Sequence, residues 1–407
     1  MLVLSKPIPN GASTASGITY TSIGTSVPRT QKNFNDNYAN IFDWLTSAEQ
    51  TDVRAGTGLN SYSAKINLAL TELGAGRSLL FPSGVYKTTE TIRNFYNGQN
   101  LIGEGSYGFT FGGVLGDGGT RFSYAGAGGG TVVNCTAIGA ADLLVGVSMS
   151  NIQIDGGGLA RYCMLHQAAW NCTVERVTMS GLNGATNAIA LSTGSKTGGT
   201  NAMNYNYRNV YRSINLVAAG SAKGFSMKGG AYCAHYDMHS THKNGTAIEL
   251  LACDDNHFFN TATSRELSGT GKGLHLHDVG YAPCVQNIFY GLSVAASEPY
   301  YSLPYVMKIT AEGSMSKCNK IYGLAGIDTT PTIELLGGAE LFYDYDGSHP
   351  LNGGDARTRC APLNISGGHL LEAVSADAMM STAAVGAYVK KIRVKIDGTY
   401  YWIPVYA

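Results

Sequence analysis

The sequence predicts an all-β fold, a chain wound as a solenoid of stacked coils. Three observations carry this reading. Short strand-like segments recur through most of the 407 residues. Glycine is abundant, 53 residues, or about 13% against an average of about 7%. Helical periodicity is scarce, and apolar runs are broken at short intervals by Gly, Asn, Ser and Thr.

Taken in chain order, Met1 to about Thr51 is a non-repeating head rich in Ser, Thr and Asn. The best helix candidate is Ser63–Leu73, which places Ile66, Leu70 and Leu73 on one face. After it come the repeats. One segment type is a short apolar–x–apolar strand, beginning at Cys163, Ile189, Phe225, Ile248, Leu274, Met307 and Ile333, in steps of 26, 36, 23, 26, 33 and 26. A second type follows each copy but the last. It starts at Cys172, Arg208, Ala234, Asn256, Gln286 and Cys318, with an earlier copy at Val147. Two of its copies align without gaps on Tyr290–Leu292 and Tyr322–Leu324.

A repeat of this length with two or three strands per unit fits a β-solenoid, whose coils stack at about 4.8 Å. Every corner needs a residue that tolerates positive φ, which accounts for Asn151, Asn260, Gly291 and Gly323 in mid-segment. Leucine-rich repeats share the period but need a fixed L-x-x-L-x-L frame, absent here. The solenoid is assigned to residues 52–346. Residues 347–407 form a terminal module whose last part, VKKIRVKIDGTYYWIPVY, reads as a hairpin about Asp397-Gly398. An open solenoid end exposes strand edges and has to be capped.

The stretch Ser63–Ile92, SAKINLALTELGAGRSLLFPSGVYKTTETI, resembles the opening of pectate-lyase-like right-handed β-helices. There a capping helix leads to a strand ending in F/L-P-x-G-x-Y, here Phe81-Pro82-Ser83-Gly84-Val85-Tyr86. Asn100–Gly105 and Asn151–Gly156 look like first coils of that superfamily. Within it the chain looks most like a bacteriophage tailspike or tail-fibre depolymerase, over roughly Ser63–Leu341. The resemblance implies a single-stranded right-handed parallel β-helix and a head (1–51) that attaches to phage tail or baseplate proteins. It also implies a C-terminal module that caps and trimerises the chain, and a bacterial capsule or O-antigen as ligand.

Composition excludes other classes. Lys+Arg and Asp+Glu are 28 each, so the formal charge is zero, which argues against a general nucleic-acid binder. It argues equally against anchoring on an anionic membrane. No apolar run approaches the ~20 residues of a membrane helix. The N-terminus shows no basic start followed by an apolar stretch, so no secretory signal is read, and the tailspike resemblance implies a virion tail protein made in the host cytoplasm. None of the eight cysteines forms a Cys-x-x-Cys pair, and free buried thiols are expected.

Strand alternation then nominates site residues. On the second segment the outward column reads Ser150, Glu175, Tyr211, Asp237, Phe259, Tyr290 and Tyr322. Exposed aromatics in line offer stacking faces to sugar rings; the other reading is contact with a neighbouring subunit. Tyr211, Phe259, Tyr290 and Tyr322 are the candidate sugar platform. On the first segment an outward column reads Met164, Ala190, Ser226, Glu249, His275, Lys308 and Glu334.

Glycoside hydrolysis needs two carboxylates. Glu175 and Asp237, two coils apart, are expected ~9–10 Å from each other, at the wide end for an inverting pair. Glu249 with Asp254 or Asp255 is the second candidate, and a corner Asp is also a common turn cap. His275 or Lys308 would serve as base in a β-elimination lyase, the runner-up chemistry. A purely adhesive tail fibre that binds the glycan without cleaving it is the second hypothesis, and a cellular pectinase-like enzyme, which the absent secretion signal counts against, is the third. The histidines at 235, 239, 242, 257, 275 and 277 cluster in sequence, but none of their spacings commits to a metal, and no cofactor is expected.

Overall fold

The chain is described from a computed structural model covering residues 38–345, apart from 94, 106–117, 137–142, 196–205, 266–270, 280–281, 297–304 and 328. The backbone of short strands at 2–4, 19–22, 29–30, 363–365, 369–371, 388–396 and 399–406 is also described. The fold is a right-handed parallel β-helix. Three parallel sheets run its length. A 13-stranded sheet extends from Tyr38–Asn40 to Leu341–Tyr345, and an 8-stranded sheet from Thr131–Asn134 to Thr329–Leu336. A short sheet begins at Leu144–Val145 and reaches Gly230–Ala231. Isolated bridges at Asp254 carry it on to Cys284–Val285, which pairs with Ser316–Lys317.

Each coil turns three corners, and positive φ marks them. In mid-strand of the long sheet the turning residues are Asn151, Arg176, Ser213, Asp237, Asn260, Gly291 and Gly323, with φ between 50° and 77°. Leaving the second sheet they include Ala168, Gly194, Gly229, Ala252 and Gly313. Leaving the short sheet they are Asn171, Arg208, Tyr232, Asp255, Gln286 and Cys318. Glycine is one solution to a corner among several; ordinary side chains occupy most of the third set, held there by the pairing on either side.

The N-terminal end is closed by two helices. Ser47–Ala55 starts in a capping box, with Thr46 Oγ1 accepting from Glu49 N–H while Glu49 accepts from Thr46 N–H. Ser63–Leu73 buries Ile66, Ala69, Leu70 and Leu73, the face its periodicity predicts. Phe81 and Tyr86 of the F-P-x-G-x-Y motif are fully buried, and with Phe122 and Tyr62 they make edge-to-face contacts 5.1–6.2 Å apart. Gly84 between them is required. A Cβ there would lie 2.4 Å from the Val53 carbonyl oxygen, at φ 148°. Stacked pairing begins at Tyr38, upstream of the expected residue 52, because a three-residue strand is too short to register as a repeat.

The register corrects the expected columns. In the long sheet the outward column is Ser150, Glu175, Arg212, Tyr236, Phe259, Tyr290, Tyr322. Tyr211 pairs with Val174 and His235 and is fully buried, so it is no sugar platform. Asp237 is a corner residue outside the column, so it does not share that column with Glu175 as a catalytic pair. The slip is one residue in two coils whose corners, Ser213 and Asp237, carry neither Gly nor Asn. One residue of slip reverses every side chain. In the second sheet Leu165, Ser192, Ser226, Glu249, His275, Thr310 and Glu334 share the outward register. Lys308 stands outside it, opposite Lys272 and Thr332.

Six of the seven described cysteines are buried and free; Cys318 is exposed. Near the terminus, Tyr388–Ile396 and Thr399–Tyr406 form an antiparallel pair with Ile396 opposite Thr399. This is the expected hairpin, although its turn residues, Asp397 and Gly398, lie outside the described residues.

Candidate functional site

The long sheet displays an aromatic ladder on its outer face. Tyr236 and Phe259 stack at 4.9 Å, Phe259 and Tyr290 at 5.0 Å, and Tyr290 and Tyr322 at 5.6 Å, with planes 8–19° apart. Parallel in-register strands make this stacking automatic, since like positions recur one strand spacing apart. Arg212 continues the column, its guanidinium 5.4 Å from the Tyr236 centroid. Tyr290 is 38% exposed and the other rings half-buried, so the ladder offers a continuous apolar edge to solvent.

Acidic residues border this ladder at the third corner. His257 lies two residues before Phe259 and leans on Phe259 and Tyr290, with centroids 6.3 and 6.1 Å away. Its Nε2 is 3.1 Å from Asp255 Oδ1. Asp254 belongs to the short sheet, bridged to Ala231 and Val285. Its Oδ1 is buried without a hydrogen-bond partner. Burial, and then the neighbouring Asp255 charge, raise its carboxyl above the ordinary range, so it keeps its proton to higher pH. On the same short-sheet face, Trp170, Tyr207 and Tyr232 form a second aromatic group, with centroids 5.3 and 5.4 Å apart. Asp254 and Asp255 thus sit at a corner between two aromatic surfaces. Glu175 is on the ladder face but is ion-paired with Arg176.

Glu249 occupies a different face. It points out from the second sheet, and the Ala252 corner separates it from Asp254, so the expected Glu249–Asp254 and Glu249–Asp255 pairs are not brought onto one surface. Its two oxygens each lie 2.6 Å from Lys223 Nζ, and Ser226 Oγ donates at 2.7 Å. Burial alone would raise its carboxyl. His277, Lys223 and Ser226 reverse that and hold it well below the usual range. A carboxylate held by an ammonium and a hydroxyl in this way is poorly suited to donate a proton.

Around it stand His275 and His277, with rings stacked at 4.2 Å. Lys272 is 3.4 Å from His275, and Glu312 is 3.1 Å from the same ring. Burial, then the His277 and Lys272 charges, push His275 down to about 4. Lys308 is bonded to Glu334 at 2.7 Å and so is a poor base for elimination.

Phe259, Tyr290 and Tyr322 keep the outward positions that the sequence columns expect, and His275 stands opposite Glu249 in the second sheet. Sequence reasoning missed Arg212 and Tyr236 through the slip. Lys223, Ser226, Lys272 and Glu312 emerge as a group only once the register is known, although Ser226 was already in its column.

No protein-family profile matches the chain, and no curated protein matches its sequence. Among solved structures it is similar to ORF18 of Geobacillus virus E2 at 13% identity, covering 82% of this chain and 68% of that one, with a TM-score of 0.38. It is also similar to the tailspike of the E. coli bacteriophage HK620 in complex with a pentasaccharide, at 10% identity over 81% and 69% of the two chains and a TM-score of 0.49. The Streptococcus pneumoniae surface protein and adhesin PfbA matches at 10% identity over 75% and 97%, with a TM-score of 0.40.

Proposed function

We propose that this chain is a bacteriophage tailspike-type protein that binds a bacterial surface polysaccharide along its β-helix and cleaves it by glycosidic hydrolysis. The observation carrying the proposal is the outward stack Tyr236–Phe259–Tyr290–Tyr322 beside the Asp254–Asp255 corner. The rings cover one another's faces, so the ladder meets a glycan with a continuous apolar edge, which fits an extended chain better than a compact ligand. The second aromatic group, Trp170–Tyr207–Tyr232, gives the glycan a footing on the other side of that corner.

In this reading Asp254 is the general acid. It is the carboxyl near the aromatic surfaces whose surroundings favour the protonated form. Burial is the first cause, and the charge of Asp255, which is bonded to His257, adds to it. The protein works as a homotrimer on the virion tail, with the C-terminal hairpin contributing to assembly and residues 1–51 to attachment.

The test is incubation with purified capsule or O-antigen, following new reducing ends and the ultraviolet absorbance of an unsaturated uronate. Reducing ends without absorbance support hydrolysis. Both signals together mean elimination, and binding with neither means an adhesin. A solution mass of one chain would sink the trimer.

A further inference from the structure

We propose that Glu249, His275 and His277 form a binding site for a divalent transition cation, Zn²⁺ foremost, that fastens neighbouring coils of the second sheet. Glu249 lies on the strand Thr246–Leu251, and both histidines on Lys272–His277, one coil further along. A His-x-His pair on a strand puts both rings on one face. Here the rings are stacked, parallel within 3° and 4.2 Å apart, so one ring has to rotate for both nitrogens to converge on one ion. One ligand atom from each of Glu249, His275 and His277 lies within 4.8 Å of the other two.

Around tetrahedral Zn²⁺, with bonds of about 2.0–2.1 Å, ligand atoms stand about 3.3 Å apart. The Glu249 Oε1 to His277 Nε2 separation is already 3.5 Å. That Nε2 is shielded from solvent and faces the carboxylate.

Lys223 Nζ lies 2.6 Å from both Glu249 oxygens, Ser226 Oγ donates to Oε2, and Lys272 Nζ lies 3.4 Å from His275 Nε2, so an incoming cation displaces two ammonium groups from its ligand atoms. Glu312, on the next coil, places Oε2 3.1 Å from His275 Nε2 and can supply a fourth ligand. Two imidazoles with one or two carboxylates select Zn²⁺ and its neighbours over Ca²⁺ or Mg²⁺, which prefer all-oxygen shells. The site is on a different face from the aromatic ladder, so it stands or falls apart from the glycan reading.

The experiment uses the full chain without a histidine tag, stripped with chelator and then titrated calorimetrically with ZnCl₂. One Zn²⁺ per chain is expected, with affinity falling at least tenfold in His275→Ala, His277→Ala and Glu249→Gln. His239→Ala, a half-buried histidine bonded to Ser264, is the control and keeps full affinity. Wild-type uptake no greater than that of a His275→Ala/His277→Ala double variant overturns the proposal. Cobalt substitution of the unmutated chain gives a reading independent of any folding defect. Intense visible bands of four- or five-coordinate Co²⁺ support the site, and the weak bands of six-coordinate aqueous Co²⁺ overturn it.

Discussion

His235 and Phe258 stack face to face inside the β-helix, with ring centroids 4.0 Å apart and planes 4° apart. Tyr211 covers the other face of His235 at 4.8 Å, and Phe289 extends the column beyond Phe258 at 4.4 Å. Neither nitrogen of His235 has a hydrogen-bond partner. The imidazole is used as a flat aromatic spacer in an apolar stack, which is possible only while it is neutral.

That condition sets an acid limit on stability. Burial pushes His235 down to about 3 and His166 to about 4. Burial, then the Arg265 charge, pushes His242 to about 4. In the unfolded chain each titrates near 6.5. Between about 6.5 and 3–4 the unfolded state therefore binds more protons, so stability is fully present above pH 6.5 and lost as pH falls through this window. At pH 5 the loss is about 2 kcal/mol per buried histidine. Urea midpoints should fall from pH 7 to pH 5, and His235→Phe should flatten part of that fall. Midpoints equal at both pH values would refute this account.

A second internal column is polar. Asn256, Asn287 and Asn319 are fully buried on successive coils, each amide donating to the next: Asn256 Nδ2 to Asn287 Oδ1 and Asn287 Nδ2 to Asn319 Oδ1, both at 2.9 Å. Asn287 also donates to the Cys253 carbonyl at 3.0 Å. Asn287→Ala strands partners on both sides, at a cost of about 2–4 kcal/mol by urea denaturation. Asn287→Asp should cost more, because it also buries a charge. A loss under about 0.5 kcal/mol in Asn287→Ala would show that the ladder contributes little.

The sequence made the coils legible because period-2 alternation and corner residues recur. It identified the helix Ser63–Leu73 and the hairpin strands to within a residue or two. The errors arose where corner chemistry was atypical. Ser213 and Asp237 adopt positive φ without being Gly or Asn, so nothing local marks the turn. Tyr211 and Tyr236 are both aromatic, and only the register distinguishes the buried ring from the exposed one. Cross-coil partnerships such as Lys223 with Glu249 depend on stacking between residues 26 positions apart, which no local pattern reveals.

The ladder reading makes a graded prediction. Tyr290→Ala removes the most exposed ring and breaks the stack between Phe259 and Tyr322. Glycan affinity should fall about tenfold, equivalent to about 1.4 kcal/mol, with the melting temperature nearly unchanged. Tyr211→Phe, inside the helix, should leave affinity intact while lowering stability, since His166 Nδ1 loses the hydroxyl bonded to it at 2.8 Å. Equal binding by wild type and Tyr290→Ala would remove the ladder from the glycan path.

Asp254 and Asp255 allow the acid assignment to be tested by pH as well as by loss of activity. If protonated Asp254 donates to the leaving oxygen, kcat/KM should decline as pH rises through its raised pKa. Asp254→Asn should then lose activity by at least about a hundredfold while binding glycan normally. Asp255→Asn is the more informative variant. Removing the neighbouring negative charge takes away one of the two causes of the raised pKa, so the alkaline limb should move to lower pH. A structural role for Asp255 as a corner cap would instead lower activity at every pH equally, leaving the limb in place. An unmoved limb together with full activity in Asp254→Asn would transfer the chemistry to another carboxylate on the ladder face, with Glu175 next in line.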